Sequence, residues 1–279
     1  MSRRFLLIIF SFILFHGAKS QGIDETHALA HELFDQQEYD SSVRLFRRVA
    51  FFGEDSLKAL VYPYIARCYL LTGDYSQSIF FFELASNTTG SDSLFKEYTF
   101  SKALIYILIN EFNYSLQELY SIDPGDSGYF IRKYHFYLGI IHLKQDDIPG
   151  SQLHFLSAAG GREEYNEIIK AYNSINLKRP RPVTARIFSI LLPGLGQIYS
   201  GDRFNAANSF FLNASLATLM LRIAFKQTFL DALITIGPWF QRYYIGGFTR
   251  AEQIAINRRI DKREDLLQEL YMIFEEDSF

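Results

Sequence analysis

The chain repeats one pattern of small, aromatic and polar positions four times between Asp24 and about Ala159. In the clearest copy, one apolar helical face leads to a turn at Gly73 and a second helical face follows it. The inward positions of that copy are Ile65, Ala66, Tyr69, Ser78, Phe82 and Ala85. Aligning the copies at Tyr39, Tyr75, Tyr114 and Ile148 gives steps of 36, 39 and 34 residues. This period predicts helix-turn-helix units that share one continuous core.

These positions resemble the tetratricopeptide repeat (TPR). The first copy matches it through Leu29, Ala30, Leu33, Tyr39, Ser42, Phe46 and Val49, and the fourth through Leu138, Gly139, His142, Ile148, Ser151, Phe155 and Ala158. The third copy departs from the pattern after its turn at Asn113-Tyr114. The resemblance implies an all-α fold with a TPR-like α-solenoid over about half of the chain, closed by a helix near 163–176. A generic helical array is the alternative.

The resemblance also implies a binding groove, because the inner surface of such arrays is formed by fixed positions of each first helix. Carried onto this chain, the groove residues are His27, His31, Asp35, Arg67, Lys102, Tyr106, Asn110, Lys133 and Lys144. The later copies contribute mostly positive charge, which favours an acidic, extended segment of a partner protein or peptide. The alternative is that these are ordinary solvated helix residues.

A break follows the repeats, since two prolines interrupt the basic run 178–186. We place the domain boundary there. Five segments result: a signal peptide at 1–20, the TPR-like repeat domain with its closing helix at 21–177, the basic hinge at 178–186, a membrane region at 187–249 and an amphipathic C-terminal helix at 250–279. The signal rests on Arg3 and Arg4, the apolar run Phe5 to Phe15 and the small residues before Gln21.

The membrane region opens with an unusual glycine-rich element, Pro-Gly-Leu-Gly-Gln-Ile-Tyr. Its characteristic residues are Pro193, Gly194, Gly196, Gln197, Tyr199 and Gly201. It does not fit a phosphate cradle, because it has no Walker lysine and no strand before it. The element resembles the segment that opens short helical membrane regions in bacterial envelope proteins, some of them fused to TPRs or to a membrane-protein insertion efficiency factor.

Two apolar segments after this element predict a transmembrane helical hairpin. Ala206 to Phe225 is just long enough to cross a bilayer core, and Thr228 to Phe248 gives a weaker signal because it contains Asp231 and Arg242. A hydrophobic hairpin docked on the repeats is the alternative. The tail beyond it alternates apolar and charged residues, which predicts an amphipathic helix that lies on the repeats, the membrane surface or a second subunit.

The composition and the motifs of the chain argue against several functions. The net charge of -3 gives no overall attraction for nucleic acid, and the single cysteine, Cys68, cannot form an internal disulfide. His27 and His31 share a helix face, but the metalloprotease order His-Glu-x-x-His is absent. We identify no catalytic constellation, and predict no enzyme activity, cofactor or metal.

These observations favour a TPR scaffold that binds a protein partner on the periplasmic side of the bacterial inner membrane, where the bilayer is its second partner. One alternative is an accessory factor for membrane-protein insertion or envelope assembly, which follows from the fused relatives of the glycine-rich element. Another is a transporter subunit in which Asn213, Arg222, Asp231 and Arg242 line a polar path.

Overall fold

The computed structural model describes residues 22–125 and 128–275, so the predicted signal peptide lies outside the described residues. The prediction of an all-α fold is confirmed, since these residues form fourteen helices and no strand. The helices are α1 (Ile23–Asp35), α2 (Tyr39–Phe52), α3 (Asp55–Thr72), α4 (Tyr75–Thr88), α5 (Asp92–Leu108), α6 (Phe112–Tyr120), α7 (Tyr129–Lys144), α8 (Ile148–Ala158), α9 (Arg162–Ser174), α10 (Pro182–Leu191), α11 (Leu195–Tyr199), α12 (Arg203–Lys226), α13 (Phe229–Thr235) and α14 (Gly237–Glu275).

The chain divides into two compact units inside α7, where one ends at Tyr137 and the other begins at Leu138. Our sequence boundary was the basic hinge at 178–186. Part of that hinge is helical, since α10 begins at Pro182. Proline fits there because the first position of a helix needs no amide donor.

A left-handed residue follows the first helix of each of the four copies. These residues are Gln37, Gly73, Asn110 and Asp146, with φ angles of 63°, 82°, 61° and 69°. In every turn the amide of the next residue donates to the carbonyl five positions back, at 2.8–2.9 Å. This bond satisfies a carbonyl that the helix end would leave unpaired. The turns stand 36, 37 and 36 residues apart, so the spacing is more regular than our sequence alignment gave.

A serine hydroxyl joins the two helices of each copy. It donates to the carbonyl oxygen of the small residue twelve positions earlier, in the pairs Ser42–Ala30, Ser78–Ala66, Ser115–Ala103 and Ser151–Gly139, at 2.8–2.9 Å. Our reading of the third copy was therefore wrong. Its second helix starts at Phe112, two residues before the Tyr114 used for alignment, and it keeps both the small residue and the serine.

The first unit packs its helices in sequence order, with α1 on α2 and each following helix through α6 on the one before it. Large apolar side chains fill the space between them, and Phe46, Ile65, Phe82, Ile105 and Leu119 are almost fully buried. Each such side chain contributes about 1.5–3 kcal/mol by leaving water, so the core rather than any single polar contact stabilises this unit.

The second unit is arranged around α14, which contacts α9, α10, α11, α12 and α13. Small residues allow the closest of these contacts, because Ala185 of α10 and Ala251 and Ala255 of α14 form a fully buried cluster. The far half of α14 buries Leu266, Leu270 and Phe274, and Phe274 lies 6.1 Å from Phe155 of α8. The apolar face of the predicted tail therefore packs within its own unit.

The segment 228–248, predicted as a second membrane helix, is not one helix. Thr228 caps α13 through its hydroxyl, α13 ends at Thr235, and α14 starts at Gly237 and continues without a break through the predicted separate tail. Pro238 explains the break, because it has no amide to donate and fits only the first turn of the new helix. Among the described residues, one helix is long and apolar enough to cross a bilayer: α12, with a mean hydropathy of 1.2.

Candidate functional site

The first three predicted groove residues lie along α1. The imidazole nitrogens of His27 and His31 are 3.1 Å apart, and the His31 ring packs edge-on against Phe46 and Tyr64, with centroids 5.0 and 4.4 Å away. Burial and the neighbouring His27 lower the pKa of His31, which favours the neutral form of that imidazole. Asp35 is exposed one turn further on.

Arg67, Tyr106 and Asn110 occupy different surroundings. The exposed guanidinium of Arg67 lies 5.7 Å from the centroid of the Tyr64 ring, and Tyr106 stacks on Tyr114 with a centroid distance of 5.4 Å. Asn110 is the left-handed residue of the third turn. The first two therefore present side chains at a surface, while Asn110 mainly shapes the backbone.

Lys102 is buried, with 7% of its side chain exposed, and its ammonium group contacts two carboxylates. Its Nζ lies 2.5 Å from Glu83 and 2.9 Å from Glu118. Burial opposes the charged form of Lys102, but the hydrogen bonds to both carboxylates outweigh it and raise the pKa of the ammonium group. The contact with Lys102 also lowers the pKa of Glu83. Lys102 therefore stabilises the packing of its neighbours, and its charge is already paired and does not attract a ligand.

The other two predicted lysines are also paired. Lys133 lies 2.6 Å from Glu97 and near the Phe100 and Tyr129 rings, and Lys144 contacts Glu264 of α14. The positive surface predicted from the later copies is therefore neutralised by carboxylates. The sequence contained one signal for this: Glu118 follows Ser115 by one helical turn, so the Ser115–Ala103 contact brings it beside Lys102.

The glycine-rich element forms a corner between three helices. A Cβ at Gly196 would lie 1.9 Å from the Ala185 carbonyl oxygen, so this position requires glycine for α11 to approach α10. Gln197 is 1% exposed; its Oε1 accepts from Ser189 at 2.8 Å and its Nε2 donates to the Gly247 carbonyl of α14 at 2.9 Å. The buried amide thus joins α10, α11 and α14.

The remaining residues of the element complete this corner. The Tyr199 hydroxyl accepts from the Arg181 amide at 3.1 Å, and its ring packs on Phe188. Gly194 has a φ of 94° and Pro193 precedes it. Gly201, at 87°, forms the same turn as the four repeats, because the Asp202 amide donates to the Gln197 carbonyl five residues back at 2.8 Å. The element is a structural corner that sets the direction of α12.

Two of the four residues proposed for a polar path share a cavity of about 450 Å³ between α12 and α14. Asn213 and Arg242 border it, together with Gln197 of the glycine-rich element. The other bordering residues were not part of the polar-path hypothesis: Asn205, Asn208, Ser209, Leu212, Tyr243, Gly246, Gly247 and Arg250. Arg222 and Asp231 do not border it, and Asp231 accepts a hydrogen bond from Thr228 at the start of α13. The four residues do not form one path.

The described residues contain no cluster of three or more histidine, cysteine, aspartate or glutamate side chains that could hold a metal ion. Cys68 is buried in α3 beside Ser42, and burial raises the pKa of its thiol, so it packs as a small apolar side chain. Two features of the described residues remain: the buried ion-pair cluster around Lys102, and the open polar cavity between α12 and α14.

Comparison of the chain with protein-family models, with curated proteins and with solved structures found no match.

Proposed function

We propose that the protein is a membrane-anchored scaffold in which a TPR-like solenoid binds a protein partner. In this proposal α12 crosses the bacterial inner membrane and the repeats lie on its periplasmic side. The observation that carries it is the exposure of α12: only 6% of its most apolar stretch is buried, and Phe204, Phe211 and Phe225 are 83%, 67% and 87% exposed. Exposed apolar surface of this extent needs a covering, and a bilayer provides one.

The neighbouring segments extend the same apolar surface. Phe229, Leu230 and Ile234 of α13 are 64–69% exposed, and Trp239 at the start of α14 is half exposed. An aromatic residue at that position is typical of the boundary between hydrocarbon and headgroups. α13 and the first turns of α14 therefore support a returning segment in the proposed hairpin, although they do not form one spanning helix.

Partner binding is proposed for the face of α1 and α3 that carries His27, His31, Asp35 and Arg67. These side chains are exposed or half-buried, and the described structure gives Arg67 no ion pair. The groove differs from the one proposed on sequence grounds, because Lys102, Lys133 and Lys144 are held by carboxylates and offer little attraction to an acidic ligand.

The test is carbonate extraction of membranes from cells that express the full chain with a tag after Phe279. We expect the protein to resist extraction, and the double variant Phe211→Asp/Leu221→Asp to become extractable, because two charges on a lipid-facing surface cost several kcal/mol. The matched control is Phe51→Asp/Phe52→Asp, which changes two equally exposed aromatics in the first unit.

The control variant should remain in the membrane. Complete release of the wild-type protein by carbonate would overturn the anchor and leave a peripheral binding module. If the anchor holds, chemical crosslinking of wild type and Arg67→Glu then tests the scaffold: a protein that crosslinks to wild type should be lost in the variant. A crosslinked partner that Arg67→Glu leaves unchanged would contradict the proposed face.

A further inference from the structure

The cavity between α12 and α14 has the composition of an anion-binding site. Arg242 and Arg250 border it, no aspartate or glutamate does, and neither arginine forms an ion pair within the described residues. The Asp202 carboxylate interacts electrostatically with Arg250. Its oxygens accept hydrogen bonds from the backbone amide and the side-chain Nδ2 of Asn205, at 3.0 and 2.6 Å. The two guanidinium groups therefore make this wall positively charged, and the Asp202 carboxylate offsets that charge only in part.

Two residues of the opposite wall each carry a buried polar atom that has no hydrogen-bond partner among the described residues. Asn213 is 3% exposed, and its Nδ2 donates to the Ser209 carbonyl at 2.8 Å, which fixes the orientation of the amide and leaves Oδ1 without a hydrogen bond. The Ser209 hydroxyl is also buried and unpartnered. A buried acceptor without a partner is destabilising, so a ligand that donates one hydrogen bond to it would offset that cost.

The helix backbone leaves room for such a ligand. Gly246 lies one turn after Arg242 and one turn before Arg250, and a Cβ added to it would meet nothing within 4 Å. The two arginines are about 12 Å apart along the helix axis, so their side chains can approach a group placed over Gly246 from both sides. The volume of about 450 Å³ is in the range of small-molecule sites, roughly 300–1,000 Å³.

We propose that this cavity binds a phosphate ester that also carries a hydroxyl group. Arg242 and Arg250 hold the phosphate oxygens, the Ser209 hydroxyl donates to the same anion, and Asn213 Oδ1 accepts the ligand hydroxyl. Guanidinium groups suit this role because they present several donors in one plane to phosphate oxygens. The chemistry is shared by a glycerol phosphate in solution and by the headgroup of phosphatidylglycerol. Ligand binding at this cavity does not require that α12 crosses a bilayer.

The test is isothermal titration calorimetry, which measures the affinity of the full chain, purified in an uncharged detergent, for sn-glycerol 3-phosphate and for dihexanoyl phosphatidylglycerol. We expect binding of at least one probe, and a loss of about tenfold or more in affinity for Arg242→Gln and for Arg250→Gln, which corresponds to one charge-assisted contact. Gly246→Leu should abolish binding because it fills the cavity. Arg222→Gln is the matched control, since it removes an exposed arginine of α12 outside the cavity.

Tighter binding of the lipid assigns the headgroup as the ligand, and equal or tighter binding of glycerol phosphate assigns a soluble ester. Both results support the site if the cavity variants lose affinity and Arg222→Gln keeps it. Three results would overturn it: neither probe binds at millimolar concentration, the control loses as much affinity as Arg242→Gln, or glycolate, a hydroxylated carboxylate, binds as tightly as the phosphate probes. Thermal unfolding of each variant confirms that it is folded.

Discussion

Among the described residues, the buried side-chain polar atoms without a hydrogen-bond partner all lie in the second unit of this protein. In the first unit Lys102 meets Glu83 and Glu118, and each helix pair has a serine bonded to a backbone carbonyl. In the second unit the oxygen of Asn213 and the hydroxyl of Ser209 have no partner among the described residues, and both residues border a cavity with two arginines. Polar groups that are satisfied internally help to specify a fold, whereas a buried group without a partner needs an explanation, and here we propose a ligand.

Removing Lys102 should give the largest effect of the three changes that test this comparison. Lys102→Ala leaves Glu83 and Glu118 facing each other without a cation, and we expect a loss of about 2–3 kcal/mol of unfolding free energy, because both carboxylates retain some contact with water. Urea unfolding followed by circular dichroism measures it. Lys58→Ala, which breaks an exposed ion pair with Asp55, is the control and should cost much less than Lys102→Ala, because solvent screens an exposed pair. Equal losses would mean that Lys102 is no structural centre.

Removing one inter-helix serine should give an intermediate effect. Ser115→Ala deletes the hydrogen bond to the Ala103 carbonyl in the third copy, and we expect a loss of about 1 kcal/mol. Ser78→Ala in the second copy should cost the same, because its bond has the same partners and nearly the same length. Thermal unfolding of both variants compares the two copies directly. A cost at Ser78 with none at Ser115 would show that the third copy is packed more loosely than its geometry indicates.

Replacing Asn213 should give the smallest effect on stability. Asn213→Leu removes an acceptor that has no partner among the described residues, together with the hydrogen bond from Nδ2 to the Ser209 carbonyl. The two effects oppose each other, so we expect a loss of no more than about 0.5 kcal/mol, or a gain. Asn205→Leu is the matched control on the same helix, and it should destabilise because Asn205 is bonded to Asp202. Differential scanning fluorimetry in the absence of phosphate esters measures both. A large loss at Asn213 would remove the contrast between the two units.

Much of the helical architecture could be predicted from the sequence, because the repeat is a local signal. The turn at Gly73 and the inward residues Ala66 and Ser78 follow directly from spacing and residue type. The third copy was misaligned because Tyr114 resembles the aromatic at the start of the other second helices, although Ala103 and Ser115 keep the twelve-residue spacing. A search for that spacing would have given the right register.

The candidate sites were predicted less well, because they depend on contacts between residues far apart in the chain. Spacing on α5 places Lys102 on a groove, but its burial depends on Glu83 of α4 and Glu118 of α6. Gln197 was identified as part of a short motif, yet its role became clear only from its bond to Gly247, fifty residues later. The cavity has the same origin, since α12 and α14 each contribute one wall.

The four repeat turns differ in the free-energy cost of their left-handed residue. Glycine has no Cβ and adopts positive φ without steric cost, whereas an L-residue loses about 1–2 kcal/mol there, and one of the four repeat turns carries glycine. At Asp146 this cost is offset, because Arg259 and Arg263 of α14 form ion pairs with its carboxylate. Gln37 makes no hydrogen bond through its side chain in the described structure and is exposed. A single substitution, Gln37→Gly, should therefore relieve the backbone strain of this turn and stabilise the first repeat.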